Sequence, residues 1–216
     1  LILGIVPTPT LQMAVVKLRA NGGIIISASH NPEEWNALKF VNSSGIFLNH
    51  NEADELLDIY NQPYTNYVAE SEYRNVHHAE NPFGMHKDKI FSQIDVELVR
   101  KGKFKVAIDC CNGAGAPFAK GFLEELGCEV TAIFTDIDRG FERTPEPVAK
   151  NLGVLSKLVR EGDFDIGFAQ DPDADRLVLL NAKGEALGEQ LTLVLAIAHV
   201  LDKTKKRGNV VVNLAT

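Results

Sequence analysis

The chain has 216 residues, enough to bury a core, and 45% of them are hydrophobic and 24% charged, as is ordinary for a soluble globular protein. Its formal net charge of −7 disfavours a nucleic-acid-binding protein, which needs clustered Lys and Arg side chains for phosphate contacts. The three cysteines lack CxxC spacing, so they favour a reducing, cytoplasmic compartment over a disulfide scaffold or zinc site, and no apolar run is long enough to cross a membrane.

Short apolar runs alternate with amphipathic stretches in the first hundred residues, a pattern typical of α/β proteins. The pattern predicts these elements in chain order: a strand in 1–6, a helix over 11–21 with Thr10 as its N-cap, a strand at 24–27, a hairpin of 37–40 with 45–48, and a helix over 51–60. Residues 61–83 are polar, and we expect an irregular segment there.

The same alternation continues to the end of the chain. It predicts strands at 104–109 and 129–134 joined by a helix that ends near 127, a linker over 136–147, a helix over 151–162, strands at 165–169 and 177–180, a helix over 191–201, and a strand at 210–216. Because the first and last strand patterns are cut off at the chain ends, we expect this sequence to be part of a longer protein.

Three carboxylates on alternate residues, Asp171, Asp173 and Asp175, follow the predicted strand at 165–169. Loops at such strand ends host ligands, and alternate carboxylates can surround one Mg²⁺ or Ca²⁺ ion. An EF-hand is excluded because Arg176 stands where that loop needs glycine and position 182 is alanine instead of glutamate. A solvated acidic turn remains the alternative on these residues alone.

A hydroxyl-bearing loop follows the apolar strand at 24–27. Ser29 is followed by His30, but no G-x-S-x-G elbow surrounds the serine, and an adjacent histidine is poorly placed to activate it. A surface turn is the alternative here, and Lys39, on a predicted strand, is not distinguished by chemistry alone. The glycine-rich turn at 112–115 fits a tight strand-to-helix connection better than a phosphate loop.

Taken together, these motifs resemble the α-D-phosphohexomutase superfamily. Residues 28–32 with 36–39 resemble its phosphoserine loop and the lysine that follows, and residues 171–176 resemble its metal loop, D-x-D-x-D-R. Residues 109–115 and 144–147 are also similar to segments of the family.

The resemblance implies mixed-sheet three-layer α/β domains, truncated at both ends of this sequence. Domain I would occupy residues 1–100 and carry the phosphoserine loop. Domain II would occupy residues 101–187 and carry the metal loop, and residues 188–216 would begin domain III.

The resemblance also implies roles for individual residues. Ser29 would carry the phosphoryl group, Lys39 would act as general acid and base, and His30 would handle a proton or contact phosphate. Arg176 would bind phosphate oxygens. The implied ligands of Mg²⁺ are Ser29, Asp171, Asp173 and Asp175.

The implied reaction interconverts hexose 1-phosphate and hexose 6-phosphate through a phosphoserine and a bisphosphorylated sugar. A hexose 1,6-bisphosphate would serve as activator and a sugar phosphate as the small-molecule partner, with no nucleic acid or membrane involved. A metal-dependent sugar-phosphate phosphatase and a non-catalytic binding fragment remain alternatives. The sequence selects neither the oligomeric state nor the sugar among glucose, mannose and glucosamine phosphates, and we expect the fragment alone to be inactive.

Overall fold

The computed structural model describes residues 1–64, 67–205 and 207–212. The chain divides into two compact units, one formed by residues 1–28 and 36–93, the other by residues 29–35 together with residues from 94 onward. The short segment 29–35 thus groups with the second unit, although its neighbours along the chain belong to the first. The domain boundaries expected after residues 100 and 187 stay predictions.

The first unit is a two-stranded antiparallel sheet with helices. Its elements are α1 (Thr8–Lys17), β1 (Gly22–Ile26), β2 (Leu38–Asn42), α2 (His50–Tyr60) and α3 (Gly84–Phe91). Helix α1 packs on β1 at Gly23, where a Cβ atom would lie 2.6 Å from Leu11 and 2.9 Å from Val15. Helix α2 begins with a capping box in which Asn49 and Glu52 satisfy each other's backbone N–H groups.

One strand prediction in the first unit is wrong, and the hairpin prediction is confirmed in a shorter form. The apolar run at 1–6 forms no strand, and only Ile2 pairs, in a single bridge with His78. The hairpin predicted from 37–40 and 45–48 forms with a single antiparallel bridge, Val41 to Phe47, and with hydrogen bonds from the Asn42 N–H to the Ile46 carbonyl at 2.8 Å and from the Leu48 N–H to the Phe40 carbonyl at 3.1 Å. The other edge of β2 pairs with β1.

The prediction of Thr10 as an N-cap is also wrong. Helix α1 begins at Thr8 with Pro7 as its N-cap residue, and proline is readily accepted in a first helical turn, as Pro9 is here. The Thr10 hydroxyl is instead buried and lies 2.9 Å from Nδ1 of His86 on α3.

The second unit contains a mixed four-stranded sheet. Its elements are α4 (Val96–Gly102), β3 (Lys105–Asp109), α5 (Ala116–Glu125), β4 (Glu129–Ile133), α6 (Gly153–Glu161), β5 (Ile166–Gln170), β6 (Leu177–Leu180) and α7 (Glu189–Thr204). The strand order is β4-β3-β5-β6, in which β3 pairs parallel with β4 and β5 while β6 runs antiparallel to β5.

Neighbouring residues of β3 face two different cores. Ala107 packs in a cluster with Leu155 and Val159 of α6, whereas Ile108 packs in a second cluster with Ala116 and Ala119 of α5. Helices therefore cover both faces of the sheet, and the mixed-sheet three-layer α/β fold expected from the sequence is confirmed. Asp109 and Gln170, the last residues of β3 and β5, stand at the carboxyl edge of this sheet.

The sequence missed the short helices α3 and α4 and placed the strands of the second unit within about two residues. Of the strand predicted at 210–216, residues 210–212 have no regular structure and residues 213–216 lie outside the described residues. Among the helices of the described chain, none combines the length and the apolar character that crossing a membrane requires.

Candidate functional site

The connection between β5 and β6 gathers the three carboxylates that the sequence singled out. One carboxylate oxygen from each residue lies within 4.8 Å of the other two, and we call Asp171, Asp173 and Asp175 the carboxylate trio. Asp171 is 0% and Asp173 4% exposed, whereas Asp175 is open to solvent. A solvated acidic turn would expose all three side chains, so this burial argues against that alternative.

The backbone of the loop wraps around Asp171. The Arg176 N–H donates to Asp171 Oδ1 at 3.0 Å, and the Ala174 N–H donates to the Asp171 carbonyl at 3.1 Å. Ala174 turns the chain through the left-handed region, with φ of 52°. This local network aims the alternate side chains into one small volume.

The electrostatics of the carboxylate trio fit a divalent cation. Burial, together with the neighbouring Asp173 carboxylate, raises the pKa of Asp171 to about 7, although the Arg176 backbone hydrogen bond opposes the shift. A cation would offset the repulsion among these groups, and carboxylate oxygens are the ligands that Mg²⁺ and Ca²⁺ prefer. The trio therefore offers the oxygen ligands that a divalent cation would need.

The Ser29 hydroxyl lies beside the carboxylate trio, within the second unit. It donates a long hydrogen bond of 3.4 Å to Asp171 Oδ2 and lies 3.3 Å from Nδ1 of His30. Ser29 also has a left-handed backbone, with φ of 55°. The structure thus brings a hydroxyl and an imidazole next to the clustered carboxylates. Ser29 and Asp171, which are in contact, are 142 positions apart in the chain.

The two remaining predicted site residues lie in different units. Arg176 directly follows the carboxylate trio along the chain and precedes β6. Lys39 lies on β2 of the first unit, where its Nζ atom is 5.9 Å from the centre of the Phe47 ring.

The glycine-rich turn after β3 directly contacts the connection between β5 and β6, residues 171–176, which we call the carboxylate loop. The Ala114 N–H donates to the Pro172 carbonyl at 2.7 Å, and a Cβ atom on Gly113 would lie only 2.3 Å from the same oxygen. The turn is a tight strand-to-helix connection, as expected, but it also supports the loop, which the sequence did not indicate. The proximity of 109–115 and 171–176 follows from the pairing of β3 with β5, not from any local motif.

Two models of one protein family match the chain. Residues 1–66 match the phosphoglucomutase/phosphomannomutase alpha/beta/alpha domain I, and residues 85–184 match domain II.

Relatives and a solved structure agree with these matches. The chain is 34% identical, over 98% of its length and 46% of the relative, to a Methanopyrus kandleri protein named "probable phosphoglucosamine mutase". It is 32% identical to the phosphoglucomutase/phosphomannomutase of Thermococcus kodakarensis, covering 99% of this chain and 46% of that protein. A Thermus thermophilus structure described as a phosphomannomutase superposes with a TM-score of 0.77 at 26% identity, covering 93% of this chain and 45% of that one. The chain therefore spans less than half the length of each.

Proposed function

Because the chain belongs to the phosphoglucomutase/phosphomannomutase family, we propose that it supplies the phosphoserine and metal sites of a phosphohexomutase. The reaction proposed is the interconversion of hexose 1-phosphate and hexose 6-phosphate through a phosphorylated Ser29 and a bisphosphorylated sugar. The contact of the Ser29 hydroxyl with Asp171 of the carboxylate trio is the observation that carries this proposal.

Charge explains why these groups belong together. A phosphorylated Ser29 would carry roughly −2 beside three carboxylates, an arrangement that repels itself without cations. Mg²⁺ bound by the carboxylate trio and Ser29 would supply compensating positive charge and withdraw electron density from the phosphoryl oxygens. Arg176, adjacent in sequence to the trio, provides a guanidinium for the remaining oxygens.

The transfer step needs one nucleophile and one proton acceptor. A sugar hydroxyl attacks the phosphorus, the bond from phosphorus to Ser29 Oγ breaks, and the hydroxyl proton passes to the Nζ atom of Lys39, which acts as the general base. In the second half-reaction the Ser29 oxygen attacks the other phosphate of the bisphosphate, and Lys39 returns its proton to the departing sugar oxygen. His30, 3.3 Å from the Ser29 hydroxyl, is placed to contact the phosphoryl group or to hold a proton.

The sugar class is proposed from the relatives. The Methanopyrus relative bears the name of a phosphoglucosamine mutase and the Thermococcus relative that of a phosphoglucomutase/phosphomannomutase. Glucosamine, glucose and mannose 1-phosphates are accordingly the substrates to compare, with the corresponding 1,6-bisphosphate as activator.

A coupled mutase assay on the longest natural form that contains this sequence tests the proposal. With Mg²⁺ and a trace of bisphosphate, we expect one of the three sugar 1-phosphates to be converted to its 6-phosphate. Ser29→Ala should abolish both turnover and the phosphoprotein mass, whereas Ser27→Ala, two positions earlier in the chain, should retain both. Release of inorganic phosphate without 6-phosphate would instead identify a phosphatase, and normal turnover in Ser29→Ala would refute the phosphoserine.

A further inference from the structure

A buried ion pair joins Arg143 to Asp109 in the second unit, apart from the groups that the proposed mechanism uses. Arg143 Nε donates to Asp109 Oδ2 at 2.7 Å, and the two side chains are 6% and 0% exposed. Removing two charges from water is costly, and their mutual attraction often does no more than offset that cost. The ion pair by itself is therefore not expected to stabilise the fold strongly, and its hydrogen bonds to neighbouring segments point to another role.

The Arg143 guanidinium donates from all three of its nitrogen atoms. Nη1 donates to the carbonyls of Thr144 and Pro145, each at 2.9 Å, and Nη2 donates to the carbonyl of Gln170 at 2.5 Å. Gln170 ends β5 and immediately precedes Asp171. The planar guanidinium thus connects three parts of the chain: the end of β3, the segment around Arg143 itself, and the start of the carboxylate loop.

Asp109, the other member of the ion pair, orders the part of the carboxylate loop that follows Asp171. Asp109 Oδ1 accepts the Cys111 N–H at 2.9 Å, which fixes the start of the turn after β3. The same turn presents the Ala114 N–H to the Pro172 carbonyl. Both carbonyls that flank Asp171 in the chain are therefore held, one by Arg143 itself and one by the turn that its partner orders.

From these contacts we propose that Arg143 is a positioning residue for the carboxylate trio. By holding the carbonyl of Gln170 directly and that of Pro172 through the turn that Asp109 orders, it keeps the carboxylates convergent for a divalent cation. The inference rests on the metal site of the proposed function. A lysine would keep the charge but could not reach all four of these acceptors, so the role depends on the guanidinium fork.

Calorimetric titration with Mg²⁺ alone tests this inference without requiring turnover. We expect Arg143→Met and Arg143→Lys to weaken Mg²⁺ binding by about 10- to 100-fold, the effect typical of groups that orient metal ligands. Arg139→Met is the matched control, because Arg139 lies in the same segment and forms an exposed ion pair with Glu142 at 3.2 Å. Its Mg²⁺ affinity should equal that of the wild type.

A second variant separates positioning from folding. Arg143→Met leaves a buried carboxylate without its cation, so it should lower the urea midpoint. In Asp109→Asn/Arg143→Met that charge is gone, and we expect the midpoint to recover while Mg²⁺ binding stays weak. Recovery of both properties in this variant would overturn the positioning role.

The wild type and Asp173→Asn distinguish failure of this inference from failure of the proposed function. If the wild type does not bind Mg²⁺, the metal site is overturned, and the role of Arg143 with it. If the wild type binds Mg²⁺, Asp173→Asn abolishes binding, and both Arg143 variants bind as the wild type does, only the positioning role is overturned.

Discussion

Four residues around the candidate site have left-handed backbones without being glycine. Ser29 has φ of 55°, Cys111 of 54°, Asn112 of 50° and Ala174 of 52°. Such a conformation costs a residue with a side chain about 1 kcal/mol or more, so it persists only where surrounding contacts enforce it. The enforcing contacts of Asn112 are visible: its amide donates to the Gly140 carbonyl at 2.9 Å and accepts the Asp136 N–H at 3.0 Å.

A histidine far from the site in sequence gives a prediction about pH. Burial lowers the pKa of His86, whose Nδ1 lies 2.9 Å from the Thr10 hydroxyl. Because the neutral ring is favoured in the folded state, the unfolded chain binds the proton more tightly. The contribution of His86 to stability is therefore complete above pH 6.5 and is lost as the pH falls below that value.

Urea unfolding measured from pH 8 to pH 5 checks this expectation. The free energy of unfolding should fall below pH 6.5 in the wild type, and part of that fall should be absent in His86→Asn. His77→Asn, which changes an exposed histidine of the same unit, is the control and should keep the wild-type slope. Identical slopes in wild type and His86→Asn would contradict the role given to burial.

At the scale of elements, the turn between β3 and α5 packs closely against the carboxylate loop because Gly113 has no side chain. A Cβ atom on Gly113 would lie 2.3 Å from the Pro172 carbonyl oxygen and 2.6 Å from its Cα atom. Both atoms belong to the backbone, so they cannot move aside without shifting the loop.

We therefore expect Gly113→Ala to lower the free energy of unfolding by about 1–3 kcal/mol, as overpacking commonly does, and to weaken Mg²⁺ binding. Gly121→Ala is the matched control, since Gly121 lies inside α5 and a Cβ atom there meets nothing within 4 Å. That change should stabilise the protein by about 0.5–1 kcal/mol through helix propensity. Urea unfolding and calorimetry measure the two effects, and equal stability of the two variants would show that the turn is not closely fitted.

Local chemistry made part of the site predictable from the sequence. The carboxylate trio and Ser29 each lie in a contiguous motif at a strand end, and the strands themselves are short apolar runs bounded by polar residues. The hydrogen bond from Arg143 to Gln170 joins positions that are 27 apart in the chain. The hydrogen bond from Ala114 to Pro172 joins the loops that follow two different strands, β3 and β5. Such contacts depend on the order of strands in the sheet, which no single segment encodes.

The missed helices have a different cause. Helix α3 has eight residues and α4 has seven, and neither has a fully buried residue. An apolar stripe is the main signal by which a helix is recognised, so short helices without a fully buried residue give little to detect. The predicted strand at 1–6 fails for the opposite reason, since its apolar residues suggested pairing that only Ile2 makes.

At the scale of the whole molecule, the candidate site draws on two distant parts of the chain. The segment 29–35 groups with the second unit, although the residues on both sides of it belong to the first. A metal ion that holds the carboxylate trio and Ser29 would therefore link a loop inserted from residues 29–35 to the sheet of the second unit. Metal binding and folding of the second unit should be thermodynamically coupled.

Mg²⁺ should consequently stabilise the folded chain. A ligand that binds only the folded state adds RT ln(1 + [L]/Kd), about 2.7 kcal/mol at a concentration of 100 times Kd. Urea unfolding in EDTA and in increasing Mg²⁺ measures this gain, with Ca²⁺ as a comparison for ion size. Asp173→Asn, which removes one buried charge from the trio, should unfold at the same urea concentration with or without Mg²⁺. A gain that persists in this variant would place the ion elsewhere. No gain in the wild type would mean that the carboxylates cluster without binding Mg²⁺, and Ser29 would then lack the cation on which the proposed phosphoryl transfer depends.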